Sequence, residues 1–180
     1  MQNVLLISEK YIKANSEISD NLYGKYLLPA IRTSQILYLR PIIGENLFDK
    51  VISLVASGDI AEAENIAYKT LLDEYIQPYL LERVLADIIP IVSAKVANLG
   101  TVHSKDEYVE NLSVTDAEKL QHFHEIKADS LCKILQQYLL DNLDLYPELD
   151  DCACNTMKAN LDSAASTGLW LGGPRAYKLK

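Results

Sequence analysis

The stretch that decides the fold is residues 79–92, YLLERVLADIIPIV. On a helical wheel its apolar residues cover most directions instead of forming one stripe. A helix that is apolar almost all round lies at the centre of a protein, covered on every side. The stretch therefore predicts an all-α protein built around one central, buried helix. The residues that carry this pattern are Leu80, Leu81, Val84, Leu85, Ile88, Ile89 and Ile91.

Two helices are predicted before the central one. Residues 20–40 have a helical apolar period. Because proline lacks the amide donor of a continuing helix, a bend or a late start of the helix is expected at Pro29 and an end at Arg40-Pro41. Residues 45–57 repeat apolar side chains at helical spacing. Gly58 follows directly and is suited to the left-handed conformation that ends many helices.

The central segment belongs to a longer third helix, expected from about residue 61 to residue 98. Pro78 and Pro90 predict kinks or short breaks in it. Asp59 is expected to cap its start, with Glu62 three residues later as the second half of a capping box. Together with one more helix near the C-terminus, these segments predict a bundle of about four helices.

The fourth helix is predicted from Thr115 to about Asn142. Thr115-Asp116-Ala117-Glu118 has the sequence of a capping box, in which the threonine accepts a backbone amide and the glutamate reaches back. One apolar face is expected to point into the bundle. Its members are Leu120, Phe123, Leu131, Ile134, Leu135 and Tyr138.

The third and fourth helices are separated by a stretch that loses the helical period. Residues 99–114, LGTVHSKDEYVENLSV, begin beside a glycine and contain β-branched residues, which predicts a long loop with room for a short hairpin. Long loops inside compact domains are usually functional or mobile. We therefore expect contacts with other molecules at Val102, His103, Tyr108 and Val109.

Charge divides the chain into an acidic body and a mildly basic end. The 17 basic and 25 acidic residues give a net charge of -8. Residues 151–180 hold four basic and two acidic side chains, a balance of +2, which leaves -10 for residues 1–150. Such a body disfavours tight wrapping of nucleic acid, because binding to phosphates needs positive charge.

The last 18 residues, SAASTGLWLGGPRAYKLK, contain the only tryptophan of the chain. They have no helical or strand period, yet they are richer in large apolar side chains than a purely disordered tail. The predicted organisation is a helical domain, residues 1–149, followed by an extended C-terminal arm, residues 150–180, that lies on another molecule. The alternative is a terminus that folds back on its own core. The predicted contact residues of the arm are Leu169, Trp170, Leu171, Arg175, Tyr177 and Lys178.

Glu118, His122, Glu125 and Asp129 share one face of the fourth helix and raise the question of a metal site. That face lies opposite the predicted apolar one, so a solvated polar stripe or a subunit contact is the favoured interpretation. Two-metal helical bundles also need matching carboxylates on other helices. His124 falls beside the apolar stripe and is expected to be a hydrogen-bonded histidine at the edge of the core.

No cofactor or catalytic site is predicted. Three cysteines, Cys132, Cys152 and Cys154, make a poor disulfide framework and fit a reducing compartment. The pair Cys152 and Cys154 lacks the second cluster that a structural zinc site requires. Phosphate loops, nucleophile elbows and zinc-protease motifs are missing from the sequence. It also holds neither a signal peptide nor a membrane-spanning stretch, so a soluble protein is expected.

Three stretches together resemble a known group of proteins: KYLLPAIRTSQILYLRPIIGENLFDKV at 25–51, YKTLLDEYIQPYLLERVLADIIPIVSAKVANLG at 68–100 and LCKILQQYLLDNLDLYPEL at 131–149. In this order they resemble the small helical head-tail connector (adaptor, or ring) proteins of tailed bacteriophages, most closely those of crAss-like phages and related Bacteroides elements. The resemblance covers about residues 4–149, and the C-terminal arm departs from it.

The resemblance implies a virion structural protein without enzymatic activity, made in the host cytoplasm and located at the head-tail interface. Such proteins form a closed ring, commonly of twelve copies, that contacts the portal protein above and further ring or tail proteins below. Genomic DNA passes through the channel without specific binding, and no membrane is involved. Two alternatives remain: a small helical metal-dependent enzyme using the Glu118 stripe, and a helical regulatory binding module.

Overall fold

The computed structural model describes residues 4–17, 24–93, 95–97, 100–102, 114–149, 154 and 156–158. Within them the chain is helical apart from one small hairpin, which confirms the predicted all-α class. Helices packed on helices are one of the few arrangements that bury an apolar helix face. The helices are α1 (Glu9–Ala14), α2 (Gly24–Ser34), α3 (Arg40–Ile43), α4 (Glu45–Ser57), α5 (Ile66–Thr70), α6 (Gln77–Ser93) and α7 (Val114–Asp141).

Two of the long helical stretches contain a wider π-helical turn. The first π segment, Gln35–Leu39, joins α2 to α3, and the second, Leu71–Ile76, joins α5 to α6. Each lies just before a proline, at position 41 or 78. A proline ring crowds the carbonyl four residues earlier, and a wider turn gives it room. The predicted helix end at Arg40-Pro41 is therefore wrong, and of the kink or short break predicted at Pro78 the break is absent, because the helices continue through both prolines.

Glycines end the two helices that precede the central one. Gly44 closes α3 with φ 82° and ψ 158°, and Gly58 closes α4 in the left-handed conformation with φ 85°. The prediction for Gly58 is confirmed. The predicted cap at Asp59 and Glu62 is wrong. Asp59 begins a 3-10 turn, Glu62 lies between that turn and a second one without a capping side chain, and α5 begins only at Ile66.

The third helical stretch ends earlier than the sequence predicts. α6 stops at Ser93 instead of residue 98, and strands β1 (Lys95–Ala97) and β2 (Gly100–Val102) then pair antiparallel, with Lys95 opposite Val102. The short hairpin is thus present, but it begins before the predicted loop. α7 begins at Val114, one residue before the predicted cap, so Thr115 lies inside the first helical turn.

α6 is the central element of the core. It packs against α2 and α7, and Tyr79, Leu80, Val84, Leu85 and Ile88 are buried on several sides of it. The predicted central helix is confirmed over most of its length. The last turn of α6 differs from the prediction. Ile91, which the sequence pattern places in the core, is 45% exposed, because the helix leaves the bundle beyond Pro90.

A cluster of tyrosines fixes the chain that follows α7. Tyr146 is buried, and its hydroxyl donates to the carbonyl of Ala67 at 3.0 Å. The Tyr138 hydroxyl lies 3.0 Å from that of Tyr146, and the Tyr138 ring stacks on Tyr75. Burial raises the pKa of the Tyr146 hydroxyl above its ordinary value. The cluster ties the end of α7 to α5 and the second π segment.

The body of the protein includes residues beyond position 149. Met157 is fully buried in the main core, and Cys154 is also buried. Both positions belong to the predicted arm, 150–180, so at least these two of its side chains pack with the helical domain. None of the helices in the described ranges is both long enough and apolar enough to cross a bilayer.

Substitution of the two terminating glycines is expected to have unequal costs. Gly58→Ala should lower the free energy of unfolding by about 1–2 kcal/mol, since a Cβ there meets nothing within 4 Å and only the left-handed backbone is strained. Gly44→Ala should cost more, up to about 3 kcal/mol, because its φ and ψ are open almost only to glycine. Urea unfolding of both variants checks this order, with Gly58→Asn as the milder control. Equal losses at the two sites would contradict it.

Removal of the Tyr146 hydroxyl is expected to destabilise the fold more than removal of the Tyr138 hydroxyl. Tyr146→Phe leaves the Ala67 carbonyl and the Tyr138 hydroxyl without their partner, at a cost of about 1–3 kcal/mol. Tyr138→Phe breaks only one of these bonds and is the matched control. Thermal or urea unfolding measures both, and a larger loss for Tyr138→Phe would refute the assignment.

Candidate interaction surface

α7 shows three different faces around its axis. One face packs on α6, and the other two lie on either side of it. The buried face is lined by small or compact side chains that let the two helices approach closely. Its members are Ala117, His124, Ala128, Leu135 and Leu139.

His124 joins α7 to α6 through a polar contact inside the core. Its side chain is 3% exposed, and Nδ1 lies 2.6 Å from Oε2 of Glu82. Lys127 approaches the other carboxylate oxygen of Glu82 at 3.4 Å, and Glu17 lies 4.0 Å from Nε2 of His124. A buried polar group needs such partners, because an unsatisfied one costs free energy. The prediction of a hydrogen-bonded histidine at the edge of the core is confirmed.

The acidic flank of α7 consists of Glu118, Glu125 and Asp129. Glu125 accepts a hydrogen bond from the Gln121 amide at 3.0 Å, and His122 lies beside it with Nδ1 at 3.5 Å. In the part of the chain that the structure describes, no group of three or more His, Cys, Asp or Glu side chains is arranged to hold a metal ion. The flank presents negative charge to solvent, in agreement with the polar stripe favoured from the sequence.

The apolar flank of α7 consists of Leu120, Phe123, Ile126 and Ile134. They are 36%, 49%, 53% and 54% exposed, respectively. The expectation that Leu120, Phe123 and Ile134 point into the bundle is wrong, because the buried face is rotated away from them toward Ala128 and Leu139. Leu131 and Tyr138 are half-buried and Leu135 is buried. The prediction is therefore confirmed for these three of the six residues.

Lys127 lies between the apolar flank and the core. Its ammonium group is 4.4 Å from the centroid of the Phe123 ring, besides its contact with Glu82. A cation over an aromatic ring is attracted to the negative face of the π system. The contact orients the Phe123 ring along the helix, and half of that side chain is still exposed.

A polar cluster sits where the first π segment meets α6. The Arg83 guanidinium lies 3.8 Å from the centroid of the Tyr38 ring, and its Nε has no hydrogen-bond partner among the residues that the structure describes. Asp87 accepts hydrogen bonds from the Ser34 hydroxyl at 3.0 Å and the Tyr38 hydroxyl at 3.4 Å. Burial raises the pKa of the Asp87 carboxyl, while the Ser34 hydrogen bond opposes that shift. The cluster was not found from the sequence, because its members come from separate elements.

Cys132 lies beside this cluster on α7. Burial raises the pKa of its thiol to about 11, and the charge of Asp129 adds to that effect. A thiol with such a pKa stays protonated at neutral pH and is a poor nucleophile. Cys132 therefore behaves as a packing residue.

The contact residues predicted from the sequence are not tested by the structure. Val102 ends β2, but its side chain and those of His103, Tyr108 and Val109 lie outside the described residues. The same holds for the arm residues 169–178. Ile126 was not predicted as a contact residue. A signal for it exists in the sequence, because the apolar side chains of α7 spread over a wider arc than one buried face needs.

Asp87 is expected to make the stability of the fold depend on pH. Its pKa is raised above 3.8 in the folded chain, so protonation favours the folded state at acid pH and this contribution is lost as pH rises through the folded pKa. As the pH rises from about 3.8 to neutrality, the free energy of unfolding of the wild type should therefore decrease relative to that of Asp87→Asn. Carboxyl-carbon NMR titration gives the pKa directly, and Asp87→Asn identifies the resonance. A folded pKa at or below 3.8 contradicts the assignment.

Comparison with known proteins assigns the chain to a family. Neither a curated protein nor a solved structure matches it. Residues 39–159 match a protein family described as Family of unknown function (DUF6712). The match spans more than half of the 180 residues and includes α3 to α7, the tyrosine cluster, both flanks of α7 and the buried Met157. The chain therefore belongs to the DUF6712 family.

Proposed function

We propose that the protein is a head-tail connector of a tailed bacteriophage. It forms a closed ring between the portal protein and the tail, twelve copies by analogy with the proteins it resembles. Further ring or tail proteins bind below it, and genomic DNA passes through its channel. The role is structural, in the virion, after assembly in the host cytoplasm.

The apolar flank of α7 is the observation that carries this proposal. Large exposed apolar side chains that recur along one side of a long helix are characteristic of surfaces that contact another protein. The flank runs from Leu120 to Ile134 within one helix, so it offers a rigid surface about 21 Å long. A ring needs a surface of this kind on every copy, because each subunit contacts its neighbour through two different patches.

The charge of the body supports a channel for DNA. Residues 1–150 carry a net charge of -10, so a channel wall built from this body is negative on balance. A negative wall repels the phosphate backbone, so DNA can pass without binding. A protein that bound DNA tightly would need the opposite balance.

The three stretches that resemble head-tail connectors also support the proposal. They form α2 to α4, α5 to β1 and the second half of α7 with the Tyr146 turn, which are the elements that build the core. The resemblance therefore rests on the fold-determining part of the chain. The metal-enzyme alternative receives less support, because the acidic flank points to solvent and offers no convergent set of ligands among the described residues.

Native mass spectrometry and negative-stain imaging of the protein mixed with the portal protein of its own phage test the proposal. The expected result is a ring-shaped complex with several copies per portal, even where the isolated protein stays monomeric. A helical protein of similar size and charge, mixed with the same portal, controls for non-specific adsorption. A chain that stays monomeric and ignores the portal contradicts the proposal.

A further inference from the structure

We propose that the apolar flank of α7 is the docking surface for the C-terminal arm of a neighbouring copy of the same chain. The inference rests on the proposed ring function and adds the identity of the contacting segment. The arm segment consists of residues 169–178, LWLGGPRAYK, and the surface consists of Leu120, Phe123, Ile126 and Ile134.

The two surfaces match in apolar character. Leu169, Trp170 and Leu171 place three large apolar side chains in succession, and Trp170 is the only tryptophan of the chain. Phe123 and Ile134 are about half exposed on the apolar flank. Tryptophan is among the residues that contribute most to protein interfaces when it fills an apolar site on the partner. Burial of these side chains against each other removes apolar area from water on both partners.

The two surfaces also match in charge. The arm carries Arg175 and Lys178 within eight residues of Trp170, with no acidic residue between them. The acidic flank, Glu118, Glu125 and Asp129, lies on the other side of α7. Complementary charge of this kind guides association and fixes the direction in which a segment lies on its partner. The apolar flank receives the first half of the segment and the acidic flank the second.

The spacing within the arm fits the width of the helix. Residues of α7 turn by 100° per residue, so the centres of the two flanks are about 140° apart across the solvent side. On a helix about 10–12 Å in diameter, this arc is roughly 12–15 Å long. Trp170 and Arg175 are five residues apart, which spans at most about 17 Å in an extended chain. One arm can therefore cover both flanks by crossing the helix.

The length of the arm is sufficient to reach a second copy. Twenty-two residues follow the helical residues 156–158, and in an extended chain they span about 70 Å, against about 42 Å for the whole of α7. An arm that docks on the next copy creates a head-to-tail contact that repeats around a ring until it closes. An arm on its own α7 would cover the surface without linking any subunits.

Two complementary variants of the full-length chain test the inference. Phe123→Ser/Ile134→Ser removes the docking surface and keeps the arm, whereas Trp170→Ala/Leu171→Ala removes the anchor of the arm and keeps the surface. Ile66→Ser, at a residue 60% exposed on α5, is the control for loss of an exposed apolar side chain elsewhere. Sedimentation equilibrium measures self-association, and circular dichroism verifies that each variant is folded.

Each double variant alone is expected to self-associate at least about tenfold more weakly than the wild type, since it lacks one half of the contact. An equimolar mixture should regain pairing, because the intact arm of one variant meets the intact α7 of the other. Isotope labelling of one variant shows these mixed pairs in native mass spectra. Ile66→Ser should associate like the wild type, and added salt should weaken pairing through the charged contacts.

Three results would overturn the inference. If wild-type chains stay monomeric at about 1 mM, their association free energy is weaker than about 4 kcal/mol, which is too weak for this contact. Double variants that associate as well as the wild type show that another surface is used. A mixture without mixed pairs shows that the arm binds its own chain. In each case a ring on the portal still supports the proposed function, so the two failures are distinguishable.

Discussion

The burial of α6 on nearly all sides is the constraint on which the rest of the structure depends. Because α6 supplies apolar side chains in most directions, each neighbouring helix needs only one modest face to cover it. α7 covers α6 with small residues such as Ala117 and Ala128, which allow a close approach. Phe123, Ile126 and Ile134 are therefore not needed by the core. They are left exposed at the surface, as large apolar side chains of a protein contact site are.

The two π segments have a common effect on the polar contacts of the fold. Each accommodates a following proline, and each presents a tyrosine to another helix. Tyr38 of the first segment lies under Arg83 of α6, and Tyr75 of the second stacks on Tyr138 of α7. A π turn changes the rotation of all residues after it relative to a regular helix. The prolines thus set which side chains face the interior on both sides of the bundle, without ending a helix.

Patterns of single elements could be predicted from the sequence, and relations between elements could not. The central helix, the terminating Gly58 and the polar contact of His124 follow from local rules of periodicity and capping. The face of α7 was predicted from the largest apolar residues, whereas the structure buries Ala117, His124 and Ala128 there beside two leucines, since α6 already fills the space. The sequence predicts a helix end at Pro41, because the local rule for proline does not include a π turn that makes room for its ring. The Arg83 cluster needed the register of three helices together.

The arrangement of the two flanks on one helix restricts the kind of partner that can use both. The apolar and acidic flanks lie on opposite sides of the buried face, so a flat subunit surface resting on α7 meets one of them and turns away from the other. A segment that crosses the helix touches both, and such a segment needs an apolar part and a cationic part a few residues apart. The sequence from Leu169 to Lys178 has this order. An acidic body and a basic, tryptophan-containing end are therefore complementary in charge and in apolar character, as the proposed contact between neighbouring copies requires.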